Sequence, residues 1–276
     1  MTLRQTIQSH LQHLTHHPYL ELVPRGNAAI EIALSIVPKN SLILIPAEGG
    51  WLSYQSLPKK LGLLVEEVKC QEAVLDLDDL KARLGAKHYS ALLYQNPGGY
   101  FAEQPMKEIY ELCQKNKCLV IMDVSGSIGT PLSDGRYADI LVGSFGKWKL
   151  VEAKVGGFIS GKEKELGERI QEKIISGQTI LEERELAKVL TALEQLPARI
   201  EHLQSLCRKV IRDVEKEKLE IVRRNDRGFV VIVRYSAEEE KQRIIHYCQQ
   251  QAFEWTECPR YIRINQPAIS IEIKRL

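Results

Sequence analysis

Several short stretches of this sequence carry side chains able to do chemistry, and they follow one another at intervals of about one βα unit. Asn96 opens an Asn-Pro-Gly-Gly turn and Asp123 ends an apolar run. Ser144-Phe145 ends another; Lys147 and Lys149 follow it, and Gly156-Gly157 comes next. A carboxylate, a hydroxyl and an amine in this order describe a pocket for pyridoxal 5′-phosphate. The carboxylate serves the ring nitrogen, the hydroxyl the phosphate and the amine the aldehyde.

An ionised Asp123 beneath the ring nitrogen would keep the pyridine protonated, and so an electron sink for a carbanion at a substrate α-carbon. The residues after it, Val124-Ser125-Gly126-Ser127, are small enough for a planar ring to approach the backbone, and Ser125 joins the cofactor-binding set. Gly26-Asn27-Ala28-Ala29 opens a helix whose free N–H groups, helped by the helix dipole and the Asn27 side chain, could hold a phosphate; a simple N-cap is the other reading. Trp51 follows Gly49-Gly50 and offers an aromatic face to the ring. Asn96 could donate to the phenolic oxygen of the cofactor, although Asn-Pro-Gly-Gly is also ordinary turn chemistry. The reacting amine is Lys147 or Lys149. A Schiff-base lysine must lose its charge near neutral pH, which burial beside another cation promotes, so two neighbouring lysines could divide the work.

The elements that would position these residues alternate. Apolar spacing at Leu3, Ile7, Leu11 and Leu14 predicts an amphipathic helix over 2–17. Its His10, His13, His16 and His17 have no accompanying carboxylate or cysteine, which favours solvated histidines over a metal site. Helices are expected at 27–37, 52–61, 77–85 and 105–116, and strands at 41–46, 64–69, 89–95, 118–123, 139–143 and 155–160. Continuous apolar runs such as Leu42-Ile43-Leu44-Ile45 suit strands covered on both faces, so residues 1–161 read as a doubly wound, mostly parallel α/β domain. A charged, glycine-poor helical connector follows over 162–218, broken near Gly177 and Pro197. A small C-terminal α+β domain is expected over 219–276, with strands at 219–223, 228–234, 261–264 and 268–274 and a helix at 237–250.

The 276 residues carry a formal charge of +2 with acids and bases interspersed, which implies neither a nucleic-acid footprint nor a membrane-surface face. The six cysteines are scattered without paired spacing, as expected of reduced core thiols in a cytoplasmic protein. No apolar run is long enough to span a bilayer, and the first segment lacks the apolar core of a signal peptide.

The pattern resembles the fold-type I pyridoxal-phosphate enzymes, the aspartate aminotransferase superfamily, well over residues 25–160 and loosely beyond. Asn96-Pro97-Gly98-Gly99 followed by Asp123 is similar to class I and class V aminotransferases. Ser144-Phe145 with Lys149 and Gly156-Gly157 is similar to sugar aminotransferases of the DegT type, which favours Lys149; the commoner Ser-x-x-Lys spacing favours Lys147. The resemblance implies that Asp123 binds the pyridine nitrogen, Ser144 and Gly26-Asn27-Ala28 the phosphate, Trp51 the ring face and Asn96 the phenolic oxygen. It implies that Arg263, in Pro259-Arg260-Tyr261-Ile262-Arg263-Ile264, holds a substrate carboxylate, a task suited to a bidentate guanidinium. A homodimer with the active site at its interface and a small-molecule amino substrate are implied too. The chain departs from the pattern at Gly126, where Gln or His is common in DegT and desulfurase members, and it is short for the superfamily.

The leading expectation is therefore an aminotransferase acting on an amino acid or amino sugar. A cysteine desulfurase-like lyase using Cys258 is a second reading. A protein that kept the fold and lost turnover is a third, since fold alone does not fix function.

Overall fold

Leu42–Pro46, Ala91–Gln95, Leu119–Asp123 and Ile140–Ser144 are aliphatic runs whose alternate side chains enter two separate buried layers. Leu44, Leu92, Tyr94, Val120, Met122 and Leu141 pack on one face, and Ile43, Ile45, Ala91, Leu93, Ile121, Ile140 and Val142 on the other. Strands apolar on both faces require helices on both sides, and the computed structural model, which describes residues 2–175 and 181–276, has that arrangement.

In chain order the strands are β1 (Tyr19–Val23), β2 (Leu42–Pro46), β3 (Leu64–Val68), β4 (Cys70–Gln71), β5 (Val74–Leu75), β6 (Ala91–Gln95), β7 (Leu119–Asp123), β8 (Ile140–Ser144), β9 (Gly157–Gly161), β10 (Glu220–Val222), β11 (Val231–Arg234), β12 (Trp255–Cys258) and β13 (Ala268–Ile271). The helices are α1 (Leu3–Thr15), α2 (Gly26–Ser35), α3 (Leu57–Lys60), α4 (Leu77–Ala86), α5 (Met106–Lys115), α6 (Lys164–Ile175), α7 (Glu183–Glu194), α8 (Leu196–Lys216) and α9 (Glu238–Gln250).

Seven strands form the main sheet in the order β1-β9-β8-β7-β6-β2-β3. β3, β2, β6, β7 and β8 run parallel, and β9 is antiparallel to both β8 and β1. The carboxyl ends of β1, β2, β6, β7 and β8 therefore share one edge, the side on which ligands of such sheets gather. β10-β11-β13-β12 form a second, antiparallel sheet.

The expected alternation is present, with four differences. β1 and the small β4–β5 hairpin were not anticipated. The helix expected at 52–61 is instead a 3-10 turn over Leu52–Gln55 followed by the single-turn α3, where Pro58 lacks the N–H needed to continue a helix from the preceding turn. The strand expected at 261–264 is a turn, closed by Arg263 N–H to Arg260 O and Arg260 N–H to Ile264 O, both 2.8 Å, and the strand of this region is β12. The break near Pro197 falls at the start of α8; Gly177 lies outside the described residues. His10, His13 and His16 are exposed, but His17 is buried, its ring against the Gly135 carbonyl (2.9 Å) and Ser160 Oγ (3.1 Å). Burial lowers its pKa, so it is a core residue and not the solvated one expected. All six cysteines are free thiols, and among the described residues no helix is long and apolar enough to cross a membrane.

Candidate active site

The turn leaving β1 enters α2, whose N-cap Arg25 offers no side-chain cap to the helix. That leaves the first turn open to an anion. The turn also lies against the end of β8: a Cβ at Gly26 would stand 2.5 Å from Ser144 Cβ, so only glycine permits the approach. Ser144 is in turn fixed by its N–H, which donates to Ser125 Oγ at 2.9 Å, while its own Oγ accepts from Gly146 N–H at 3.2 Å. Two loops far apart in sequence thus meet in one cradle of N–H and hydroxyl groups.

At the end of β7, Asp123 is 4% exposed. Its Oδ1 accepts from Ser125 N–H and its Oδ2 from Tyr54 Oη, each at 2.8 Å. Burial, followed by the Asp123 carboxylate, pushes the Tyr54 phenol well above its usual pKa, so Tyr54 stays a donor. Trp51 Nε1 donates to Asn27 Oδ1 at 3.1 Å, tying the indole to the start of α2.

Lys149 Nζ stands 4.7 Å from the centre of the Trp51 ring and donates to Tyr100 Oη. A cleft with an empty volume of about 270 Å³ is lined by Gly26, Asn27, Ile30, Trp51, Asp123, Ser125, Ser144 and Lys149. Seven of the residues singled out from sequence thus line one opening, and Ile30 completes it.

Four others do not join them. Lys147 is exposed and places its amine 4.3 Å over the Trp148 ring. Ala28 is buried and its N–H returns to Arg25 O at 3.0 Å, so it has no donor to offer a phosphate. Asn96 is wholly buried: Nδ2 donates to Leu132 O (2.7 Å), Oδ1 accepts from Gln104 N–H (3.1 Å), and its carbonyl accepts from Ser127 Oγ (2.6 Å). It holds the turn together and does not face the cleft. Arg263 is 1% exposed and both oxygens of Glu272 accept from its Nη2, at 2.8 and 2.6 Å. A guanidinium so engaged is not presented to a substrate.

Sequence reasoning missed Tyr54, Tyr100 and Lys274. Tyr100 is 2% exposed, with a φ of +68°, and its ring covers Gly126, where a Cβ would stand 2.7 Å from Tyr100 Cδ1. The departure at Gly126 and the ring of Tyr100 are therefore one feature. Only the proximity of Tyr100 to the Asn-Pro-Gly-Gly turn could have drawn attention to it. Lys274, 6% exposed, stands 4.4 Å from the same ring.

No family model matches the chain, and no curated protein matches it. Solved structures do. Alanine–glyoxylate aminotransferase from Nostoc sp. is 15% identical over 99% of this chain and 84% of its own, with a TM-score of 0.74. Serine palmitoyltransferase from Sphingomonas wittichii is 12% identical over 98% of this chain and 70% of its own, at 0.78. 3-Amino-5-hydroxybenzoic acid synthase is 15% identical over 99% of this chain and 85% of its own, at 0.73. At these identities the likeness establishes the fold, and the chain has the α/β fold of the fold-type I pyridoxal-phosphate enzymes.

Proposed function

We propose that this chain is a pyridoxal-phosphate-dependent aminotransferase acting on an amino acid or amino sugar. The observation that carries the reading is the convergence of Lys149, Asp123, Ser144 and the uncapped start of α2 on one cleft. The donor set fits the group. A phosphate would find N–H and hydroxyl donors in the close-packed Gly26–Ser144 cradle, which a side chain at position 26 would fill. Asp123 would meet the ring nitrogen, with Tyr54 and Ser125 N–H fixing the carboxylate. Trp51 would border the ring face. When bound, the cofactor supplies an aldehyde for the substrate amine and an electron sink for its α-carbon.

Lys149 is the amine placed to bond the cofactor and, once released, to carry a proton at Nζ between substrate and ring. Tyr100 Oη, accepting from that Nζ, holds it in place. A homodimer bordering the cleft and a cytoplasmic location belong to the same reading, following the resemblance described above.

The desulfurase reading loses its nucleophile. Cys258 is 1% exposed at the end of β12, and burial raises its thiol pKa, whereas attack on sulfur needs an accessible thiolate.

The deciding experiment is the visible absorbance of the purified protein with pyridoxal phosphate added, followed by borohydride reduction and peptide mapping. A cofactor band and an adduct on Lys149 are expected, both lost in Lys149→Ala and kept in Lys147→Ala. An adduct on Lys147 would reverse the assignment. No band at all would leave the non-catalytic reading, and a band without turnover of any amine would do the same.

A further inference from the structure

Around Tyr100 the buried cations exceed the carboxylates available to them. Glu272 is taken by Arg263, and Arg275 lies 3.3 Å from it while pairing with Glu254 at 2.6 Å. Lys274 makes no side-chain hydrogen bond or ion pair among the described residues; its Nζ meets only the rings of Tyr100, at 4.4 Å, and Trp148, at 5.9 Å. Its position is fixed by the backbone: Lys274 N–H donates to Phe229 O (2.9 Å), and Phe229 N–H donates to Tyr100 O (2.8 Å).

Lys274 is 6% exposed, so the residue is not wholly sealed from solvent. Lys149 Nζ lies 4.7 Å from the same Tyr100 ring. One aromatic side chain thus contacts two amines, one in the cofactor cleft and one with no hydrogen-bonded or ion-paired acceptor among the described residues.

We propose that Lys274, and not Arg263, receives the carboxylate of an α-amino-acid substrate whose amine is presented at Lys149. The destination of the amine rests on the pyridoxal-phosphate reading; the anion site rests on Lys274 alone. A buried amine held against two rings with no acceptor is incompletely compensated when charged, and an arriving carboxylate would supply the missing partner. Burial, Arg263 and Lys149 all push the Lys274 amine well below its usual pKa, and Glu272 and Arg275, on the same turn, act in opposite directions on it. A bound carboxylate favours the charged form, so binding draws in a proton.

The test is calorimetric titration with succinate, a carboxylate without an amine, on the protein with pyridoxal phosphate present, near neutral pH in two buffers of different protonation enthalpy. Binding with proton uptake is expected. Lys274→Met should weaken it about tenfold or more and abolish the uptake. Lys274→Arg, whose side chain is always charged, should bind without uptake. Unchanged binding in Lys274→Met overturns the proposal. If that variant does not fold, proton uptake persisting in Lys274→Arg overturns it. Inorganic phosphate binding as well as succinate, with the same dependence on Lys274, would make this a general anion site and overturn the substrate assignment. Lys274-dependent succinate binding in a protein showing no cofactor band would remove the enzyme reading and keep the carboxylate site.

Discussion

Tyr54 Oη donates to Asp123 Oδ2 across 2.8 Å from a side chain with no exposed surface. The tyrosine comes from the 3-10 turn after β2, three residues from Trp51, so the turn that Trp51 opens also orients the carboxylate. Replacing Tyr54 by Phe leaves a buried carboxylate oxygen without its donor. A loss of about 1–3 kcal/mol of stability is expected, together with weaker pyridoxal phosphate binding. Denaturant unfolding and a spectral titration of the cofactor read the two effects separately.

Gly26 is required by contact, with Ser144 Cβ only 2.5 Å from where its own Cβ would be. Gly26→Ala must push α2 away from β8, at a cost of about 1–3 kcal/mol, and must widen the cradle between Gly26 and Ser144. Cofactor affinity should fall more in this variant than in Ala28→Gly, whose side chain and N–H both lie away from the cleft.

Asn96 offers the opposite contrast. With its amide shared between Leu132 and Gln104, Asn96→Ala should cost about 1–3 kcal/mol while leaving the position of the cofactor band unchanged. A shifted band at unchanged stability would return Asn96 to the cofactor.

The Arg263–Glu272 pair predicts a pH dependence. Burial pushes the Glu272 carboxyl up, but Arg263, Lys274 and Arg275 outweigh it and hold the pKa below the ordinary 4.5. A depressed carboxylate stabilises the fold fully above its unfolded-state pKa and loses that contribution as pH falls through the folded-state value. Glu272→Gln, which strands a buried guanidinium, should cost about 3–5 kcal/mol at neutral pH. The gap to the wild type should narrow on acidification below about pH 4.5, measured by denaturant titration at a series of pH values.

Most of the cleft was legible because its residues sit at the ends of strands, where an apolar run stops at a polar residue: Asp123 and Ser144 announce themselves in this way. The spacing suits Lys147 and Lys149 alike, and burial, which no spacing reveals, is what differs between them: Lys149 lines the cleft and Lys147 is exposed. Arg263 misled because its partner, Glu272, lies nine residues on, across a turn that reads as a strand in the apolar alternation Tyr261-Ile262-Arg263-Ile264. Tyr54, Tyr100 and Lys274 act through contacts between distant segments, and no local pattern marks such contacts. β1 escaped notice for the same reason, being an edge strand defined by its pairing with β9.

That pairing has a kinetic side. β1 at Tyr19–Val23 pairs antiparallel with Gly157–Gly161, while five parallel strands of the same sheet, β2, β3, β6, β7 and β8, lie between the two in sequence; a pairing of such high sequence separation forms slowly because chain closure precedes any reward. Gly26 and Ser144 flank that closure, so the cradle between them is completed when the sheet is. Recovery of phosphate affinity during refolding should accordingly trail the recovery of helical signal, making the cradle a clock for the last step of assembly.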